Sequence, residues 1–155
     1  MPGDWHRTSF TSALVYQNPK AALDWLEKAF GFETVMLITG KEGNLEHSEM
    51  RFGDSLVMIG NEWTEKHRSP QSIGGLMTQT VHVHLTEDID SHCARARAAG
   101  AVILVEPENQ FYGDRTYRAS DPEGHIWTFG QTIHAFDPKE AEKVSGLTIK
   151  LKGQM

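Results

Sequence analysis

Sliding the chain along itself until Gly31 falls on Gly100 also lays Thr11 on Thr80, and the segments that follow agree in kind. A repeat of this length restricts the fold to two copies of one supersecondary unit, neither able to bury its apolar face alone. In the first copy "TSALVY" (11–16) reads as a strand and "PKAALDWLEKAF" (19–30) as a helix. Asn18 suits the N-cap, Pro19 the first helical position and Gly31 the C-terminal cap. Ala22, Leu26, Ala29 and Phe30 recur at helical spacing as one buried stripe. Three strands follow, "ETVMLIT" (33–39), "EHSEMRF" (46–52) and "LVMIG" (56–60), joined by turns at "GKEGN" and "GDS".

The second copy runs the same course. "TVHVHL" (80–85) is a strand and "DIDSHCARARAA" (88–99) a helix, capped by Asp88 and stopped by Gly100. Its stripe is Ile89, Cys93, Ala96 and Ala99, which reads Cys93 as a small core residue rather than a nucleophile. "AVILVE" (101–106), "DRTYRA" (114–119) and "HIWTFGQ" (125–131) complete a second β-α-β-β-β unit. The fold class is therefore α+β: two tandem βαβββ modules with a helix over one face of each small, antiparallel-rich sheet. Module one spans 8–60, a connector 61–77 and module two 78–132, forming one domain over 8–132 with a C-terminal extension at 133–155. Within that extension "DPKEAEKV" can begin a short helix at Asp137, and "LTIKLK" can add a strand.

Bulk properties narrow the partners. A formal charge of −6 with no basic stripe argues against nucleic acid. No stretch approaches the ~20 apolar residues of a membrane span. "MPGDWHRTSF" lacks the apolar run of a secretion signal, and one cysteine fits a reducing compartment, so the expectation is a cytoplasmic protein.

Taken together, "AALDWLEKAFGFE", "HSEMRFGDSLVMIGNE", "DIDSHCARARAAGA" and "YGDRTYRASDPEGHIWTF" resemble the vicinal oxygen chelate superfamily, which includes glyoxalase I, bleomycin-resistance proteins and extradiol dioxygenases. Its PhnB-like branch is the most similar. The resemblance implies a U-shaped cup with helices outside, and a homodimer. In catalytic members it implies a divalent metal, held by one ligand from the first and one from the last strand of each unit. Those positions fall here on Thr11, Met58, Thr80 and Thr128, none a usual ligand for such an ion. A displacement of two residues from Thr80 reaches His82. No cofactor is therefore expected at the family's positions.

Alternation along the strands nominates what lines the cup instead. With Val81, Val83 and Leu85 in the core, Thr80, His82 and His84 share the other face; His47, Glu49 and Arg51 share one face of their own strand. Trp63 in the connector can act as a lid, and Tyr112 and Arg115 stand near the last hairpin, where Arg115 can meet a ligand carboxylate. Candidate ligand-binding residues are thus His82, His84, Glu49, His47, Trp63, Tyr112 and Arg115. The first expectation is a small-molecule-binding protein without the usual metal. An alternative is a metal-dependent lyase, isomerase or dioxygenase with a divalent ion relocated to His82, His84 and Glu49. A third is a structural or interaction protein whose cup is filled. Whether the chain is an enzyme is left open by the sequence.

Overall fold

The computed structural model describes residues 7–155. The first six, part of the segment read for a secretion signal, lie outside the described residues. Both expected units form. Module one comprises β1 (Ser12–Tyr16), α1 (Pro19–Phe30), β2 (Glu33–Thr39), β3 (Leu45–Phe52) and β4 (Ser55–Asn61). Module two comprises β5 (Val81–His84), α2 (Ile89–Ala98), β6 (Val102–Asn109), β7 (Asp114–Ser120) and β8 (Ile126–Thr132). The sheets have matching orders, β1-β4-β3-β2 and β5-β8-β7-β6. In each, the first strand pairs in parallel with the last, and the other pairings are antiparallel. The helix that follows the first strand covers one sheet face and leaves the other bare.

The caps work as the sequence implies. Asn18 accepts the Ala21 amide at 3.2 Å, and Gly31 closes α1 at a φ of 77°. A side chain at Gly31 would also collide with the Arg95 guanidinium, at 2.9 Å from its Cβ. That guanidinium is occupied: Arg95 of α2 donates to the carbonyls of Lys28 and Glu27, the exposed C-terminal end of α1. Trp25 of α1 returns the favour by donating its indole N–H to Ala99 O at the end of α2. The two helices thus cap one another.

Beneath them lies one shared aromatic core. Phe30 packs against Trp127 and Phe129, and Phe32 against Phe52 and Trp127, so the first module's helix end is seated on the second module's last strand. His92 is buried in the same cluster. Its Nε2 donates to Phe30 O at 2.9 Å, which leaves Nδ1 to accept the Tyr117 hydroxyl at 2.6 Å. Cys93 is buried in that core too, as its place on the helix stripe implies.

The hairpin turn 121–125 is the other clamp between modules. The Asp121 carboxylate accepts the Tyr16 hydroxyl (2.5 Å), the Trp127 indole (3.1 Å) and the backbone amides of Glu123 and His125. Glu123 accepts the amides of Gln17 and Asn18, just ahead of α1, and the Ser69 hydroxyl. The connector is therefore pinned at its far end, where a 3₁₀ turn (Pro70–Ile73) bonds back to the same hairpin through Gln71 N and Glu123 O. In the C-terminal extension α3 (Pro138–Ser145) forms under an Asp137 cap. The extra strand expected in "LTIKLK" does not: Leu147 and Leu151 stay exposed, and no described strand pairs with this segment.

Candidate functional site

Strand register, rather than position along the chain, decides what stands together on the bare sheet faces. In module one Ala13 lies beside Met58, and Met58 beside Glu49. In module two the equivalent row is His82, Thr128 and Arg118. The first-strand positions facing Met58 and Thr128 are therefore Ala13 and His82, two residues beyond Thr11 and Thr80, which both precede their strands. Together the four offer one imidazole, one thioether, one hydroxyl and one methyl group. That set does not supply the nitrogen and anionic oxygen donors a divalent ion needs. Among the described residues no group of three His, Cys, Asp or Glu side chains is arranged to hold a metal ion.

The two rows end in opposite charges, and their electrostatics differ. Glu49 is 1% exposed, and one carboxylate oxygen accepts both Arg7 (2.9 Å) and His47 (3.2 Å). Burial pushes its carboxyl up, but the hydrogen bonds from His47 and Arg7 outweigh that and hold it below the ordinary glutamate value. Its second oxygen is buried with no hydrogen-bond partner among the described residues. Beside it Ala13, His47, Met58 and Trp63 line a hollow of about 210 Å³.

Arg118, at the end of the second row, forms no ion pair among the described residues. Its Nε donates to the Thr128 hydroxyl at 3.1 Å, and among the described residues no other side-chain hydrogen bond engages it. It lines a polar cavity of about 280 Å³ with His82, Glu108, Gln110, Tyr112, Thr116 and Thr128. Gly130 helps shape this face, because a Cβ there would come within 3.2 Å of His82 Nε2. A larger crevice of about 710 Å³ is lined by Phe32, Phe52, Val57 and Trp127 together with His82 and His84 of β5.

The sequence candidates divide accordingly. His82 and Tyr112 meet in the polar cavity, and His84 lies on the same strand at the crevice. His47 and Glu49 are bonded to each other in module one, with Trp63 nearby, stacked on His67. Arg115 is on the helix side of β7, bound to Asp90 and Asn109, because alternation sets it opposite to Arg118. Arg118 and Thr116 are the residues that strand direction adds. Asking which arginine shares parity with Thr128 across the hairpin would have selected the former.

Comparison with known proteins agrees with this architecture. Residues 9–129 match the family model described as Glyoxalase/Bleomycin resistance protein/Dioxygenase superfamily. An uncharacterized protein of Mycobacterium tuberculosis, Rv0887c, is 32% identical over 133 residues, covering 83% of this chain and 77% of that one. Its counterpart in Mycobacterium bovis, Mb0911c, shows the same identity and coverage of 83% and 86%. Among solved structures, TioX from Micromonospora sp. ML1 superposes with a TM-score of 0.65 at 27% identity, over 81% of this chain and 98% of that one. TnmS3 from Streptomyces sp. CB03234, described as an antibiotic binding protein, shares the fold with a TM-score of 0.62 at 19% identity, over 84% and 99%. The chain belongs to the glyoxalase/bleomycin-resistance/dioxygenase superfamily.

Proposed function

We infer that this protein binds a small organic molecule on the bare sheet face of module two, with no metal at the positions its superfamily uses for one. The observation that carries this reading is the row His82, Thr128 and Arg118, where a hydroxyl stands in place of the expected carboxylate and bonds to a guanidinium. A cation-binding position does not draw an arginine across it. A concave polar pocket with few precisely placed groups is what small-molecule sites offer. The same fold in TnmS3, an antibiotic binding protein, fits this use.

Within this reading the two bare faces belong to a U-shaped cup, and the chain sits nearest the PhnB-like branch. It works as a cytoplasmic homodimer, since β1 and β5 leave sheet edges that association would protect. The enzyme alternative needs His82 and His84 to join Glu49 around an ion. What speaks for it is the His47–Glu49 pair; what speaks against it is that this carboxylate is already engaged by Arg7.

The test is a screen of small molecules against chelator-stripped protein by melting temperature, with hits mapped by amide chemical shifts. A ligand at a hundred times its dissociation constant adds about 2.7 kcal/mol of stability, a shift of several degrees. Hits that move the amides of Thr116, Arg118, Thr128 and Gly130 without added metal are expected. Hits that bind only once a divalent ion is supplied would overturn the reading.

A further inference from the structure

The geometry points to a ligand class for this face: a small organic anion whose carboxylate docks on the Nη edge of Arg118. This rests on the reading that the face binds small molecules, and adds the chemistry of what it takes. Three observations converge on it.

The first is the contrast between the two rows. In module one the charge at the row's end is met within the chain by Arg7, with His47 hydrogen-bonded to the same Glu49 oxygen. In module two Arg118 occupies the equivalent strand position and meets no carboxylate among the described residues. The chain carries more acidic than basic residues, 21 against 15, and its other arginines at this end, Arg97 and Arg115, are paired with Glu106 and Asp90. Arg118 is exposed and Arg51 shares its lack of an ion pair among the described residues, so what marks Arg118 is its seat on the wall of the polar cavity beside Thr128.

The second is orientation. Thr128 holds the guanidinium at Nε, so the fork is fixed from behind and its two Nη groups remain for a ligand. Two parallel N–H donors match the two oxygens of a carboxylate, a geometry that a lysine could not offer. Because the Thr128 hydroxyl accepts from Arg118, its own proton is free to donate to a ligand oxygen.

The third is what surrounds the fork. His82 and Tyr112 line the same cavity and can each donate a hydrogen bond, while Gln110 spends its two amide N–H bonds on Thr116 (3.1 Å) and Glu108. Glu108 is the one carboxylate in the lining. It is exposed and accepts from Gln110, and it forms no ion pair with Arg118.

The experiment titrates ¹⁵N-labelled, metal-free protein with small aliphatic and aromatic monocarboxylates, each beside its neutral carboxamide. It is run on the wild type, Arg118→Ala, Arg118→Lys and Arg115→Ala, with melting temperatures to confirm that each variant folds. Carboxylates are expected to move the amides of Thr116, Arg118 and Thr128 saturably, and at least tenfold more tightly than their carboxamides. Arg118→Ala should remove that preference and Arg118→Lys should weaken it, while Arg115→Ala leaves it unchanged. Carboxamides that bind this face as tightly as carboxylates, or a preference that survives Arg118→Ala, would overturn the anion assignment while leaving a small-molecule site standing. Failure of every pair to move these amides would overturn the anion assignment, and the small-molecule reading falls only if the wider screen also yields no hit on this face.

Discussion

Histidines 82 and 92 illustrate how little a residue type says until its neighbours are known. His82 stands exposed at the head of a row, beside a buried Thr128; His92 is locked between Phe30 O and the Tyr117 hydroxyl. The helix stripe Ile89, Cys93 and Ala96 is legible from spacing, but His92 is not. Its two partners are far away in the chain, and only the packed core brings them together. Burial holds the His92 imidazole below the ordinary histidine value of 6.5, against a smaller opposing pull from the Phe30 carbonyl. The unfolded chain therefore binds more protons than the folded one as pH falls below that value, so stability is full above it and declines beneath it. Melting temperature should drop between about pH 7 and 5, and His92→Gln, which cannot titrate, should flatten that slope. Equal slopes in the two proteins would contradict this. His92→Ala, which strands two buried polar partners and opens a cavity, should cost about 2–4 kcal/mol in urea unfolding. The arginines teach the same lesson: Arg115 and Arg118 look interchangeable in "DRTYR", yet strand parity sends one to α2 and the other to the bare face.

Among the elements, the turn "DPEG" shows a motif read correctly as local structure whose larger role sequence cannot display. Its Asp, Pro and Gly mark a turn on chemistry alone. That Asp121 also anchors Tyr16, 105 positions away, depends on the two modules meeting at this point. Four donors converge on its carboxylate. Asp121→Asn replaces one accepting oxygen with a donor and sets it against them, so a loss of roughly 1–3 kcal/mol is expected. Urea unfolding should show a lower midpoint with an unchanged slope, the mark of lost stability in an intact fold. A midpoint equal to that of the wild type would mean the clamp contributes nothing. Strand boundaries came close to their sequence positions because turns and alternation are local signals. The segment "LTIKLK" has the same alternation without a strand, since a strand also has to lie against a sheet edge, and no pattern within six residues reports where the segment is carried.

For the whole molecule, the internal repeat carried the architecture. Two units of matching sheet order share one aromatic core, and their helices cap each other. The residue types at the last-strand positions, Met58 and Thr128, were equally plain in the sequence, because they need only residue identity. Which residues face one another was not, for it depends on register: Ala13 and His82, not Thr11 and Thr80, lie across from Met58 and Thr128. Register also produced the opposed pair of row ends, Glu49 and Arg118, on which the reading of a metal-free binding face turns. The most direct test is equilibrium dialysis of untagged, chelator-stripped protein against zinc, nickel, manganese, iron(II) and magnesium, with His82→Ala alongside. No saturable, stoichiometric uptake of any ion is expected, and the variant should behave as the wild type. Tight binding of one divalent ion per chain, lost in His82→Ala, would contradict a metal-free site and restore the enzyme alternative.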